Sequence, residues 1–296
     1  MSASSTKLSA ALSGTACHHY IIQPTAYMRS QPQENSVGVS EARFGQAIRI
    51  LSEFEDWVKI TTLVDQYDGW IKKSAVCAIN RAYLEDQTVT IAKVNRCRVH
   101  LYGIADTEQG PKLSLPYGVL LEVKTQTSPR WLEVTLPDES TAYIQRGDVV
   151  LNPKVISLEE MIELSLQLKD NHIPFTWAGT STFGFDSSGF VQWLYNQMGV
   201  FLPRDSKDQY KSELLVSKSI ESLARGDLLF FGESETMIRY VGMSLGNNEF
   251  IHSGVGENRP YVRISRLTDP AWDGSERLPF RAGKTLANAP IEKKTD

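Results

Sequence analysis

From Gly45 onward apolar and polar residues alternate: Ile48, Ile50, Val58 and Ile60 stand between polar neighbours in FGQAIRILSEFEDWVKITTLVDQYDGWIKKSAV. A period of two marks strands with one buried face, and YDG at Tyr67–Gly69 reads as a turn between two of them. The segment predicts a small antiparallel barrel or sandwich. The pattern then recurs, with Gly118 leading VLLEV, Trp131 leading LEV and Tyr143 leading IQRGDVV, in the order of Gly45, Trp57 and Trp70. An aromatic returning at each corresponding place predicts a duplicated module of roughly 60 to 70 residues, with one larger β domain as the alternative.

The period changes after Leu151. Ser157 and Glu160 have the spacing of a capping box, and Leu158, Met161, Ile162, Ser165 and Leu168 share one face of the helix that follows. A loop, NHIPFTWAGTSTFGFD, leads to a second helix starting near Ser187, with Val191, Leu194, Tyr195 and Met198 facing inward and Gly199 as its stop. Short apolar strands come next: DLLFF, IRYVGMSLG, EFIHSG and YVRI. Helices followed by an antiparallel sheet make an α+β domain. The pattern divides the chain into a disordered tail (1–16), two β domains (17–82 and 83–150), an α+β domain (151–284) and a tail (285–296) that is polar and loose from about Lys284.

Composition narrows the function classes. With 296 residues, 41% hydrophobic and 22% charged, the chain is long enough for more than one globular domain. A net charge of −4, with acids and bases scattered, leaves no basic stripe for nucleic acid. No run approaches the ~18 apolar residues of a membrane span. LSAALSGTAC, after Lys7, is faintly like the core of an export signal, but it is short and polar, and Gly14 stands where a lipid-attachment motif needs a large aliphatic. Cytoplasmic residence is the expectation, with export as the alternative. Cys17, Cys77 and Cys97 form no CxxC pair and read as free thiols, the latter two buried. His and Cys do not cluster at ligand spacing, so neither a metal nor an organic cofactor is implied. Trp57, Trp70, Trp131 and Trp177 read as core or domain-interface aromatics.

Four motifs carry a resemblance. FTWAGTSTFGFDSSGFVQWLY from Phe175, LPRDSKDQ from Leu202, RGDLLFF from Arg225 and YVGMSLGNNEFIHSG from Tyr240 together resemble the NlpC-type papain-like cysteine peptidases. The paired β modules are similar to the bacterial SH3-like domains of that family's cell-wall γ-D-glutamyl-L-diamino acid endopeptidase branch. The resemblance implies a multidomain fold: two small all-β SH3-like barrels followed by an α+β papain-like NlpC domain. In the family an Asp-Cys-Ser-Gly turn sets a cysteine at a helix N-terminus, where the dipole favours a thiolate. A histidine on a neighbouring strand is its base, and a polar residue one strand further on orients that ring.

Those positions hold Ser187, Tyr240 and His252 here, so only the orienting position is kept. A thiol of pKa ~8.5 can be ionised by such surroundings, an alcohol needs a base, and a phenol of pKa ~10 is a poor proton acceptor at pH 7. Peptidase activity is therefore expected to be weak or absent. His252 acting as a substitute base is disfavoured, since the family geometry sets its ring behind the missing histidine. A strand histidine bonded to backbone is its other reading, and His172 reads as a helix-capping residue.

The resemblance also implies a pocket for a substrate with a free L-alanine at its N-terminus. Asp186, Ser188, Asp205 and Ser206 match its places, Tyr67 is the candidate from the first β module, and Phe175 and Trp177 complete the candidate contacts. Phe175 departs from a common tyrosine, and Gln46 stands where an acid is common. Asp186 also reads as a helix N-cap, and Asp205 and Ser206 as the opening of another helical turn. The implied ligand is a murein-derived tripeptide, L-Ala-γ-D-Glu-diamino acid, or a similar small peptide; the sequence specifies no protein partner. A degenerate peptidase that binds such peptides is the first reading. A hydrolase using Ser187 and an interaction protein with a filled cleft are the alternatives.

Overall fold

The computed structural model describes residues 17–255, 259–269, 272 and 278–287. The predicted tail at 1–16, which contains nearly all of the export-like segment, and residues 288–296 lie outside these. The chain forms two compact units: residues up to Val37 with Ala42–Pro153, and Gly38–Glu41 with Lys154 onward.

The first unit holds the duplication except for Gly38–Glu41 of the third strand, which belong to the second. One sheet contains β1 (His18–Ile21), β2 (Thr25–Arg29), β3 (Gly38–Arg43), β4 (Ala47–Phe54), β5 (Trp57–Thr62), β6 (Asp68–Lys72) and β7 (Val76–Ile79), in the order β3-β2-β6-β5-β4-β1-β7. The other contains β8 (Thr90–Val94), β9 (Arg98–Tyr102), β10 (Leu113–Pro116), β11 (Leu120–Gln126), β12 (Trp131–Thr135), β13 (Thr141–Gln145) and β14 (Val149–Leu151). Its order, β10-β9-β13-β12-β11-β8-β14, repeats the first strand for strand.

The recurring residues occupy matching places. Trp57 pairs with Lys72 and Trp70 with Lys59, as Trp131 pairs with Gln145 and Tyr143 with Glu133. Gly45 (φ 76°) and Gly118 (φ 88°) both precede the fourth strand of their sheet in left-handed conformation, which glycine adopts without a Cβ penalty. The predicted turn at Tyr67–Gly69 is displaced. Leu63–Asp65 make the turn, Gln66 takes φ 55°, and Asp68 and Gly69 already belong to β6. The Thr62 hydroxyl organises it, bonding to the Asp65 carboxylate and accepting from the Tyr67 N–H at 3.2 Å.

Within this unit Phe44 of the first module is buried in the core of the second, with Val94, Leu101, Leu121 and Ile144. The connecting segment is held by polar contacts as well. Buried Glu122 accepts from Arg81 at 2.9 and 2.8 Å and from the Leu84 N–H at 2.7 Å, and the Tyr83 hydroxyl donates to the Thr135 carbonyl at 3.0 Å. Cys17 is exposed, and Cys77 and Cys97 are partly rather than fully buried; among the described residues none of the three is in a disulfide.

In the second unit α1 (Leu158–Asp170) begins at Ser157 with both halves of the capping box: Glu160 N–H to Ser157 Oγ at 3.3 Å and Ser157 N–H to Glu160 Oε2 at 2.7 Å. Such a cap is worth about 1 kcal/mol. Met161, Ile162, Ser165 and Leu168 are buried, as their spacing predicts. A short hairpin, β15 (Thr180–Ser181) and β16 (Gly184–Phe185), feeds α2 (Ser187–Gln197), which Gly199 follows at φ 76°. After α3 (Ser206–Lys211) come β17 (Leu215–Lys218), β18 (Leu228–Ser234), β19 (Met237–Gly246), β20 (Glu249–Gly254), β21 (Tyr261–Arg266) and β22 (Phe280–Leu286). The sheet order is β17-β22-β18-β19-β20-β21, and α2 packs on β19 and β20.

One expectation is corrected here. The loose tail does not begin at Lys284 or Thr285: Leu286 pairs with Leu215, and Lys284 with both Ser217 and Leu228, inside the sheet. Most of this strand is half-buried on both faces, so its polar composition conceals it. Trp57 and Trp131 are buried, but Trp177 is 63% exposed, its indole N–H held by the Gly38 carbonyl at 2.9 Å. No helix among the described residues is long and apolar enough to cross a membrane.

Candidate functional site

The turn before α2 is built on glycine. A Cβ on Gly189 would run into the Gly179 carbonyl, and one on Gly179 into that of Gly184, so backbone lies directly on backbone. The Asp186 N–H donates to the Gly179 carbonyl at 3.1 Å, and its carboxylate caps the helix by accepting from the Gly189 N–H at 2.7 Å. Ser187 is the first helical residue and is buried, beside the unpaired N–H groups and positive dipole end of α2.

Asp186 has a second role that its N-cap position does not reveal. Arg204, itself buried, binds it bidentately, Nη1 to Oδ1 at 3.1 Å and Nη2 to Oδ2 at 2.6 Å. The same guanidinium donates to Ser188 Oγ at 2.9 Å and to Ser40 Oγ at 3.1 Å. Ser188 Oγ donates in turn to Asp186 Oδ1 at 3.3 Å. Glu41, next to Ser40, accepts from the Thr180 N–H at 3.1 Å through its carboxylate, and from the Thr180 hydroxyl at 3.0 Å through its carbonyl. Neither Arg204 nor the Ser40–Glu41 pair is among the sequence candidates; the only sequence signal for them is the Arg directly before Asp205 and a serine at an inward strand position.

Tyr240 on β19, which the resemblance matches to the base, turns its hydroxyl onto β20. It lies 2.7 Å from the Ser253 carbonyl, which can only accept, so the phenol proton goes there. The same oxygen lies 2.5 Å from His252 Nδ1 and therefore accepts from Nδ1–H. His252 Nε2, then unprotonated, accepts from the Ser265 hydroxyl at 2.9 Å. The chain Ser265–His252–Tyr240–Ser253 is thus fully directed, and it fixes the imidazole as the Nδ1–H tautomer. His252 is completely buried, and burial, aided by the positive charge of Arg263, holds its pKa well below the ordinary 6.5. Burial likewise raises the Tyr240 phenol, with Arg263 opposing and Asp186 adding. Both groups are neutral at pH 7. The reading of His252 as a histidine bonded to backbone is corrected: its ring partners are two side chains.

Gly254 makes room for this arrangement, since a Cβ there would collide with the Tyr240 hydroxyl. Ser253 extends it toward the turn before α2, its hydroxyl donating at 2.7 Å to the carbonyl of Phe185, the residue before Asp186.

The remaining candidates are dispersed. Asp205 is the N-cap position of α3 without a side-chain cap bond and lies 3.7 Å from Lys207; Ser206 is buried as the first residue of that helix. Phe175 is partly buried and bridges to Phe185. His172 follows α1 in left-handed conformation (φ 50°), its Nδ1 3.0 Å from the Asp170 carbonyl, in keeping with a capping role. Tyr67 and Gln46 belong to the first unit: Tyr67 precedes β6, and Gln46 accepts from the Arg43 N–H at 2.6 Å to close the turn before β4. Among the described residues no group of three or more His, Cys, Asp or Glu is placed to hold a metal ion.

Comparison with known proteins agrees with this architecture. Residues 172–276 match the model of the NlpC/P60 family, and residues 28–76 that of the bacterial dipeptidyl-peptidase SH3 domain. The chain is 27% identical over 250 residues to a γ-D-glutamyl-L-lysine dipeptidyl-peptidase of Bacillus cereus, covering 79% of this chain and 72% of that protein. It is 23% identical over 276 residues to the protein of the same name from Bacillus subtilis, covering 86% and 88%. A crystal structure of an NlpC/P60 family protein from Bacillus cereus superposes with a TM-score of 0.77 at 22% identity, over 92% of this chain and all of that one. The chain therefore carries an NlpC/P60 family domain behind a bacterial dipeptidyl-peptidase SH3 domain.

Proposed function

We infer that this chain is a catalytically degenerate member of the family that binds small murein-derived peptides with a free amino end, such as L-Ala-γ-D-Glu-L-Lys, without cleaving them at an ordinary rate. The observation that carries the reading is the directed chain through Tyr240. A peptidase of this architecture must remove a proton from its nucleophile and later return one to the leaving amine. Tyr240 donates its hydroxyl hydrogen to a carbonyl, and its oxygen, a phenol rather than a phenolate, already accepts from an imidazole. His252 cannot substitute, because Nδ1 carries its hydrogen toward Tyr240 and Nε2 faces Ser265. Ser187 is then an alcohol with no base, and general-base assistance alone is worth about 10²- to 10⁴-fold.

Asp186 and Ser188 support the binding half of the reading, together with Asp205 and Ser206 on the following turn and Glu41 in the neighbouring segment. Their carboxylates and hydroxyls are the kind of charge-assisted acceptor that a peptide ammonium requires. Recognition of a free amino end selects released peptides over intact murein, which suits a cytoplasmic role in recycling wall fragments. Calorimetric titration with L-Ala-γ-D-Glu-L-Lys, followed by mass spectrometry of the mixture, tests this. Binding with the tripeptide intact is the expected result. Turnover that disappears in Ser187→Ala would make the chain a working hydrolase, and the absence of both binding and turnover would favour an interaction protein.

A further inference from the structure

The geometry points to Arg204 as a positioning residue that sets the acceptors for the amino end of the peptide, and so determines the preference for a free amine. This rests on the peptide-binding reading above and adds to it the group that organises the pocket.

One guanidinium reaches three parts of the chain. Its Nε fixes Ser40, directly before Glu41; its Nη1 and Nη2 fix Asp186 at the helix N-terminus and Ser188 within the first turn; and Asp205 follows it in the chain. The side chain is 2% exposed, so these bonds are made away from water, where a planar fork holds its partners in one orientation. The polarity that results suits an ammonium. Ser188 Oγ spends its hydrogen on Asp186 and accepts one bond from Arg204, so a lone pair is what it can offer a ligand. Asp186 Oδ1 is taken by Gly189, Ser188 and Arg204, whereas Oδ2 accepts from Arg204 Nη2, which leaves room for one further donor. Because the positive charge of Arg204 offsets that of Asp186, the pair attracts an amine by the fixed direction of its acceptors more than by net charge.

This separates position from charge in the test. Arg204→Lys keeps the charge but cannot reproduce four bonds in a plane, and Ser40→Ala keeps the arginine while releasing its Nε. Wild type and both variants are titrated with L-Ala-γ-D-Glu-L-Lys and with its N-acetyl derivative, and the ratio of the two affinities is read. Wild type is expected to favour the free amine by at least about tenfold, the scale of one charge-assisted contact. Arg204→Lys is expected to bring the ratio to within about threefold of unity, and Ser40→Ala to lower it by a smaller factor, with the N-acetyl affinity unchanged in both. Equal weakening of both peptides, in a variant with the thermal midpoint of wild type, would show that Arg204 only supports the fold. A wild-type ratio near one would overturn the inference while leaving peptide binding intact. No binding of either peptide by wild type would sink the functional reading and this one together. If Arg204→Lys does not fold, Ser40→Ala decides between these outcomes.

Discussion

Tyr240→Phe isolates the hydroxyl on which the account of the base position turns. The substitution keeps the ring, which packs at 5.4 Å from Trp272 and 6.2 Å from Phe231, and removes only the oxygen between His252 Nδ1 and the Ser253 carbonyl. A buried donor left without its acceptor costs about 1–3 kcal/mol. The imidazole can reduce that loss by moving its hydrogen to Nε2 and donating to Ser265 Oγ, which as a hydroxyl can reverse its role. Nδ1 then carries only an unmet lone pair, and the expected net loss is about 2 kcal/mol. Urea unfolding measures the loss, and ¹⁵N chemical shifts of His252 report the tautomer: Nδ1–H in wild type, Nε2–H in the variant. Stability within about 0.5 kcal/mol of wild type, the range of an ordinary surface substitution, together with an unchanged tautomer would refute the reasoning.

Further predictions follow from the same structure. Gly254→Ala should cost about 1–3 kcal/mol through overpacking against the Tyr240 hydroxyl, and much of that should return in the double variant Gly254→Ala/Tyr240→Phe, a coupling that a thermodynamic cycle measures. Glu122→Ala should destabilise the first unit by roughly 3 kcal/mol in urea titration, since it takes the acceptor from the Leu84 N–H and from both terminal nitrogens of Arg81 around a buried position. Because His252 is held neutral, the unfolded chain binds a proton near pH 6.5 that the folded chain does not. The stability that depends on it is complete above that value and falls as the pH drops toward the depressed folded value, by up to about 1.4 kcal/mol per pH unit. Denaturation midpoints between pH 7 and 5 should show this slope, and His252→Gln should flatten it.

The duplication was readable because glycine and tryptophan have few interchangeable substitutes. Only a glycine takes the left-handed turn before β4 and β11 at no cost, and large aromatics fill the matched registers at Trp57 and Trp131, so the same letters return at the same spacing. The α1 capping box was legible for a similar reason: its chemistry is complete within four residues. The boundary near Lys284 was not, because β22 gains its place from strands β17 and β18, which lie far away in the chain, and not from its own weak alternation. At the site, motif order singled out Ser187, Tyr240 and His252, and the latter two are joined by a hydrogen bond. The arginine that binds Asp186 and Ser188 escaped, since Arg204 also meets Ser40 across a separation of 164 residues, and no local pattern encodes such a meeting.

The central claim is that this pair of side chains, and not the surrounding scaffold, withholds catalysis. Its most direct test compares release of L-Ala-γ-D-Glu from L-Ala-γ-D-Glu-L-Lys by wild type and by Ser187→Cys/Tyr240→His at neutral pH. The account predicts that the double variant exceeds wild type by at least about 10²-fold, the lower end of what general-base assistance supplies. Wild-type turnover equal to or faster than that of a folded double variant would contradict it.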